Sequence, residues 1–258
     1  MKTRTTKSST DLHWDKRARE EQDPTRVNIS DLPQRQCENQ FLFGALEPQD
    51  RVLEVGCGNG YLTNELRRHV AGVDAFDFSE SMIDSAKQQF GQRNGRFFVD
   101  SVLDAHHVEP PYDAVVCVRV LINLANTAEQ ILAVRNMAKW LKPAGRLVLL
   151  EGFLDGFEAL NELRSRCGMT PIAPAPINHY CRWGELEPTV TDLFDIGAEW
   201  RSGMFDLLTR VVYPLVVGPA RAQGPSDFHD KVLPLALTLN PACLGQYGRV
   251  RGYVLKRK

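Results

Sequence analysis

The chain has 258 residues, with 31 Lys+Arg against 32 Asp+Glu and a net charge of −1. That length serves one large α/β domain, with or without an added substrate-binding element, and the balanced charge disfavours a polyanionic partner, so no nucleic acid is expected. Six cysteines, Cys37, Cys57, Cys117, Cys167, Cys181 and Cys243, are scattered without a Cys-x-x-Cys pair, which predicts reduced thiols, no disulfide framework and no metal site.

In chain order, residues 1–47 read as an N-terminal arm. Met1 to Thr10 is polar, predicted disordered and without the apolar stretch of a signal peptide, while Gln34 to Leu46 has helical spacing with Phe41, Leu42 and Leu46 on one face. No apolar run approaches the roughly 18 residues of a membrane span, so a soluble, cytoplasmic protein is expected.

Val52-Leu53-Glu54-Val55 is a short apolar run that suits a buried parallel strand, and it meets Gly56-Cys57-Gly58-Asn59-Gly60. Glycines directly after a strand let backbone pass close to a ligand. Their spacing is G-x-G-x-G. The third glycine of a dinucleotide fingerprint would stand at 61, where Tyr61 is found, and a phosphate loop would need a glycine at 61 with Lys behind it. A dehydrogenase and a P-loop enzyme are therefore both disfavoured.

A second strand is predicted over Gly72 to Phe76. It leads to Asp77-Phe78-Ser79, about 20 residues after Gly56, where an acid can accept hydrogen bonds from both ribose hydroxyls. Asp74, three positions earlier, reads as a strand residue. Ser79 reads as a helix N-cap, with Met82 and Ile83 opening the apolar face of the helix that follows. Helices are predicted over Leu62 to Arg68, Ser81 to Phe90 and Ala128 to Trp140, and strands over Arg96 to Val99, Ala114 to Val118 and Arg146 to Leu150. Glu109-Pro110-Pro111-Tyr112 looks like the Asp-Pro-Pro-Tyr motif of enzymes that methylate exocyclic amines of bases. It precedes the fourth strand rather than following it, so Pro110-Pro111 reads as a loop and Tyr112 as packing.

Four of these segments, Glu54 to Gly60, Asp77-Phe78-Ser79 with Met82-Ile83, Tyr112 to Val116 and Leu141 to Val148, together resemble the class I S-adenosylmethionine-dependent methyltransferases, over about residues 48–152. The resemblance implies a Rossmann-like, doubly wound α/β fold: a mostly parallel seven-stranded sheet with helices on both faces. It implies S-adenosyl-L-methionine as cofactor, held by Glu54, Gly56, Cys57, Gly58, Asn59, Gly60, Asp77, Phe78, Ser79, Met82, Ser101, Val102, Cys117, Val118 and Arg119. By the same resemblance the Asp100-Ser101-Val102 turn borders the adenine, through the Ser101 hydroxyl or the Val102 backbone, and the N-terminal arm folds over the cofactor, with Trp14 and Asn28 as lid residues. Arg119 is expected to meet the methionine carboxylate or an acidic acceptor, or else only to pair with Glu151 or Asp100.

Residues 153–258 are read as the second half of the same domain, carrying substrate-binding insertions. Helical spacing over Asp155 to Cys167 gives way to a stretch with Pro171, Pro174 and Pro176, which forbid a helix and predict a stiff, extended segment ending in Asn178-His179-Tyr180. This is the expected acceptor rim, with Asn178, Tyr180, Arg210 and Trp14 as substrate contacts. His179 is the first candidate for a general base and His107 the second, because imidazole accepts a proton near neutral pH. Further on, Glu185 to Phe194 reads as a helix, Glu199 to Ser202 as an edge strand, Phe205 to Val217 as a helix interrupted at Pro214, and Arg251 to Lys256 as the last strand.

Leu163, Pro171-Ile172, Asn178-His179-Tyr180, Thr209-Arg210-Val211 and Tyr213-Pro214 loosely resemble methyltransferases of bacterial glycan assembly. The expected reaction is methyl transfer to an oxygen or nitrogen of a small molecule or sugar, and a non-catalytic domain that binds the cofactor as regulator or scaffold is the alternative. No oligomeric state is legible.

Overall fold

The structure, a computed structural model, describes residues 9–258 apart from 22, 24, 26, 28, 29, 92 and 240–242. Met1 to Ser8 and the suggested lid residue Asn28 thus lie outside the described residues, while Ser9 and Thr10 open a helix.

Strands β1 (Arg51–Val55), β2 (Gly72–Asp77), β3 (Phe97–Val99), β4 (Tyr112–Val118), β5 (Leu141–Gly152), β6 (Phe194–Arg201) and β7 (Val250–Arg257) form one sheet in the order β3-β2-β1-β4-β5-β7-β6. Only β7 runs against its neighbours, antiparallel to both β5 and β6. The strand order reverses between β1 and β4, and open α/β sheets bind ligands at such a point, outside the carboxyl ends of the strands.

Alternate residues of the central strands face opposite layers. Leu53, Val55, Val115 and Cys117 pack in the same core as Ala133, Val134 and Met137 of α5 (Thr127–Trp140) and Leu186 and Val190 of α7 (Trp183–Leu193). Val52, Ala114 and Val116 face the other way, into a core shared with Leu42 of α2 (Leu32–Gly44) and Leu233 of α10 (Asp227–Thr238). A strand covered on both faces has to be apolar on both, which is why these segments read as continuous runs.

The remaining helices are α1 (Ser9–Glu20), α3 (Tyr61–Leu66), α4 (Glu80–Phe90), α6 (Leu154–Arg166), α8 (Gly203–Leu207) and α9 (Tyr213–Val217). Side chains fix several starts. Asp31 Oδ1 accepts from the Gln34 N–H at 3.2 Å to cap α2, and Ser79 Oγ accepts from the Met82 N–H at 3.3 Å to cap α4. None of the helices among the described residues is long and apolar enough to cross a membrane.

Two elements depart from the sequence reading. The edge strand β6 begins at Phe194, where the preceding helix was expected to end, and it replaces the short Glu199 to Ser202 strand. The helix over Phe205 to Val217 is not interrupted at Pro214; α8 and α9 are joined by one π-helical turn, Leu208–Val212. Pro214 lacks the N–H that would reach the Arg210 carbonyl four residues back, and that carbonyl instead accepts from Arg164 Nη1. Tyr112 packs as expected: it is fully buried, and its hydroxyl donates to Asp74 Oδ2 at 2.8 Å.

Candidate active site

A cavity of about 740 Å³ lies at the carboxyl ends of β1, β2 and β4. Its floor is the glycine loop, where Gly56, Gly58 and Gly60 have φ of 68°, 54° and 78°. These are left-handed values that side chains rarely adopt. A Cβ on Gly56 would also stand 2.5 Å from Val120 Cγ2.

Asp77 ends β2 on the cavity wall. Its Oδ2 accepts from the Gly58 N–H and its Oδ1 from the Ser79 N–H, both at 2.9 Å. One carboxylate thus fixes the glycine loop and the start of α4 while facing the cavity. Glu54, also on the wall, is buried and accepts from the Thr63 hydroxyl at 2.6 Å. Burial pushes its carboxyl up from 4.5 to about 8, against the opposing pull of that hydrogen bond.

Glu54 is accordingly more readily protonated in the fold than in the open chain. The stability this contributes is complete below about pH 4.5 and is lost as pH rises through about 8. Glu151, pushed up by burial to about 7, acts with the same sign. The melting temperature of the ligand-free protein should fall between about pH 5 and about pH 8, and in Glu54→Gln only the part of that fall ending near pH 7 should remain. An unchanged pH slope in this variant would rule out Glu54 as its source.

At the next strand end, Asp100, Ser101 and Val102 all line the cavity. Asp100 turns its carboxylate into the loop, where it accepts from the N–H groups of Ser101 (2.9 Å), His106 (3.0 Å) and His107 (2.7 Å). The Val102 carbonyl accepts from Asn136 Nδ2 at 2.9 Å, and Ser101 Oγ accepts from the Leu103 N–H at 3.2 Å.

The turn after β4 forms another wall. Glu151, wholly buried at the end of β5, accepts from the N–H groups of Val120 (2.7 Å), Leu121 (2.8 Å) and Ile122 (3.3 Å). It therefore does not pair with Arg119. That residue, at φ 56°, instead directs its guanidinium to Glu38 on α2. The Arg119 carbonyl accepts from Asn123 Nδ2 at 2.7 Å, and Asn123 Oδ1 accepts from Trp14 Nε1 at 3.3 Å. Trp14, with Thr10 and His13, brings α1 onto the cavity.

Of the residues singled out from the sequence, Glu54, Gly56, Gly58, Asp77, Phe78, Met82, Ser101, Val102, Val118, Arg119, Trp14, Asn178 and His179 line this one cavity. The structure sets the others behind or away from it. Cys57 and Cys117 are fully buried beneath the wall, where burial raises both thiols. Asn59 and Ser79 are buried too, with Asn59 Oδ1 accepting from the Tyr61 N–H at 3.4 Å. A side chain on Gly60 would meet Phe97 and Ala86 rather than a ligand.

Tyr180 stacks on Phe157 at 5.0 Å between ring centres, and His107 is an exposed loop residue. Arg210 is turned to Asp31 Oδ2 at 2.7 Å, away from the cavity, and its neighbour Val211 packs with Leu160, Leu163 and Ile172. The pattern around residues 163, 172 and 209–214 is therefore a packing cluster. Arg35, Glu38, Asn39 and Leu42 of α2 were not foreseen as wall residues. Their i, i+3, i+4, i+7 spacing is one helix face, and a polar pair on the face that also carries Leu42 was the available signal.

Comparison with known proteins places residues 52–145 in the family described as "Methyltransferase domain". A ubiquinone biosynthesis O-methyltransferase of Coxiella burnetii is 33% identical over 98 residues, 37% of this chain and 41% of that one. Nodulation protein S of Rhizobium tropici is 28% identical over 127 residues, 49% of this chain and 53% of that one. The chain thus spans about two fifths to one half of the length of these relatives. Across 97% of its length the fold matches the N-methyltransferase NodS from Bradyrhizobium japonicum, solved with S-adenosyl-L-homocysteine, at a TM-score of 0.60 and 16% identity, covering 99% of that chain. The glycine loop and the Asp77 strand end lie within the matched segment, so residues 52–145 carry a methyltransferase domain, set in a seven-stranded sheet with a reversed β7.

Proposed function

We propose that this chain transfers a methyl group from S-adenosylmethionine to an oxygen or nitrogen of a small molecule or sugar. The observation that carries the reading is the continuity of the cavity. One end has Gly56, Gly58, Asp77, Ser101 and Val102, and the other has Trp14, Ile122, Asn123, Ile177, Asn178 and His179. At about 740 Å³ the cavity falls within the roughly 300–1,000 Å³ of ligand pockets, and its reach from the glycine loop to Trp14 and His179 favours an enzyme over a scaffold domain.

In this reading Asp77 takes the ribose hydroxyls, the glycine loop takes the methionine part, and the adenine lies along Phe78, Met82, Ser101 and Val102. Methyl transfer from a sulfonium is an in-line displacement in which positive charge is dispersed. Orientation of the two reactants in a dry space therefore supplies most of the rate, and the closure of α1 through Trp14 and Asn123 supplies the dryness. His179 is the proposed proton acceptor. The residue is exposed and borders the cavity, and its backbone is pinned by donation to the Ile122 carbonyl at 2.7 Å and by Gln130 Nε2 on its own carbonyl at 2.8 Å.

The reading is tested by incubating the protein with methyl-labelled S-adenosylmethionine and a small-molecule cell extract, then searching by mass spectrometry for a labelled product. Expected is one labelled small molecule formed with S-adenosylhomocysteine. Tight cofactor binding without any labelled product would favour the scaffold. With the acceptor in hand, His179→Ala should keep its cofactor affinity and lose roughly 100-fold in turnover, the scale of a general base; full turnover would leave orientation alone to carry the reaction.

A further inference from the structure

Charge is unevenly placed on the cavity wall. Five acids line it, Glu38, Glu54, Asp77, Asp100 and Glu129, against two guanidinium groups, those of Arg35 and Arg119. Both cations stand at the glycine-loop end: Arg35 lies over the ring of Tyr61 at 4.8 Å, and Arg119 is paired with Glu38. Even without Glu54, whose carboxyl burial pushes up to about 8, acids outnumber guanidinium groups on the described wall. A concave, partly dry wall of one sign focuses its field, which gathers cations and turns anions away.

The end away from the glycine loop has a carboxylate of its own. Glu129 stands in the first turn of α5, where its N–H donates to Asn126 Oδ1 and its Oε2 accepts from the Ala125 N–H, both at 3.0 Å. The next residue, Gln130, donates to the His179 carbonyl at 2.8 Å, so Glu129 and His179 belong to one rim. Trp14, tied to Asn123 Oδ1 through its N–H at 3.3 Å, adds an indole to that rim. The face of an indole attracts an ammonium or alkylated amine. Ile122, Leu124 and Ile177 supply apolar surface between these groups.

We propose that the methyl acceptor is an amine that arrives as its ammonium ion, drawn in by the acidic wall and held at the rim by Glu129 and the Trp14 indole, and that the methyl group goes to its nitrogen. The proposal rests on the methyltransferase reading of the cavity and narrows the acceptor from oxygen or nitrogen to nitrogen. An ammonium and a sulfonium repel each other at reaction distance, and carboxylates on the wall offset that repulsion. A neutral hydroxyl needs no such offset, and a phosphate or carboxylate would meet like charge. The His179 imidazole takes one proton from the ammonium. The freed lone pair then forms the N–CH3 bond while the S–CH3 bond breaks with its electron pair left on sulfur, giving S-adenosylhomocysteine and the methylated ammonium. His179, being exposed, returns its proton to water.

The test divides a small-molecule cell extract by ion exchange into cationic, neutral and anionic fractions and incubates each with the full chain and methyl-labelled S-adenosylmethionine. Expected is a labelled product from the cationic fraction alone, with the label on nitrogen by mass spectrometry. A labelled product from the neutral or anionic fraction, or a label on oxygen, overturns the amine acceptor while leaving the methyltransferase reading intact. No labelled product from any fraction overturns that reading and this proposal with it. The amine so found is then titrated by calorimetry into the S-adenosylhomocysteine complex. In Glu129→Gln, which keeps an acceptor for the Ala125 N–H, its Kd should rise by about 10- to 100-fold, the scale of one charge-assisted hydrogen bond, with S-adenosylhomocysteine itself bound as in wild type. An unchanged Kd for the amine overturns the part given to Glu129. The fraction assay uses the wild-type chain, so it decides the acceptor class even where the variant does not fold.

Discussion

Asp77→Ala is expected to weaken S-adenosylhomocysteine binding by at least about 100-fold, because each charge-assisted bond from a ribose hydroxyl contributes roughly 1.5–3 kcal/mol. The same carboxylate holds the Gly58 and Ser79 N–H groups, so alanine also frees the loop on which the methionine part rests. Asp77→Asn separates the two effects. It keeps one carbonyl oxygen for the loop but loses the charge, and it should fall between wild type and Asp77→Ala. Gly58→Val should remove binding as well, since φ of 54° strains any β-branched residue and its side chain would project into the cofactor space. Calorimetry that finds a folded Asp77→Ala variant with unchanged affinity would sink the ribose assignment.

The largest effect on stability is expected at Glu151. Removing its carboxylate in Glu151→Ala leaves the N–H groups of Val120, Leu121 and Ile122 without their acceptor in a wholly buried site. Each buried unsatisfied donor costs about 1–3 kcal/mol, which makes the expected loss at least about 3 kcal/mol, a large part of an ordinary domain's 5–15 kcal/mol. Glu151→Gln, which retains one carbonyl acceptor, should lose less. Urea denaturation measures both, and a loss below about 1 kcal/mol in the alanine variant would show that the turn after β4 finds other partners.

The fold was legible where local pattern and tertiary role agree. The alternation of apolar runs with helical spacing from Val52 to Leu150 follows from burying every strand on both faces. Ser79 announced α4 through its cap. One misreading took proline as a stop: Pro214 sits in a helix continued through a π turn in which Arg164 satisfies the Arg210 carbonyl, while α10, for which the sequence analysis made no reading, carries Pro234 inside it. At Pro214 a partner distant in the chain meets the backbone group that proline leaves open.

At the site, the glycines and Asp77 could be read as cavity residues because each stands at the carboxyl end of its own strand. Arg210 was misplaced because its partner, Asp31, is 179 residues away. Arg35 and Glu38 went unnoticed for a related reason: a polar pair on a helix next to apolar residues looks like a solvated edge until the fold turns that face inward.

Asp31 has a wider consequence. One carboxylate caps α2 through Oδ1 and holds the half-buried Arg210 through Oδ2. Nearby, Arg249 donates to Asp206 Oδ1 at 2.8 Å and to Gln34 Oε1 at 3.2 Å, tying β7 to α8 and α2. The segment shared with the methyltransferase family, residues 52–145, thus lies between flanks that are riveted to each other. Trimming the chain to that segment would strip β6, β7 and all of β5 beyond Gly145 from the sheet and leave β4 as a raw edge. Evolutionary modularity and mechanical modularity part company here: the unit that recurs among relatives is not a unit that can be cut out, and a transplant of its chemistry to another scaffold would have to carry both ends of the chain along.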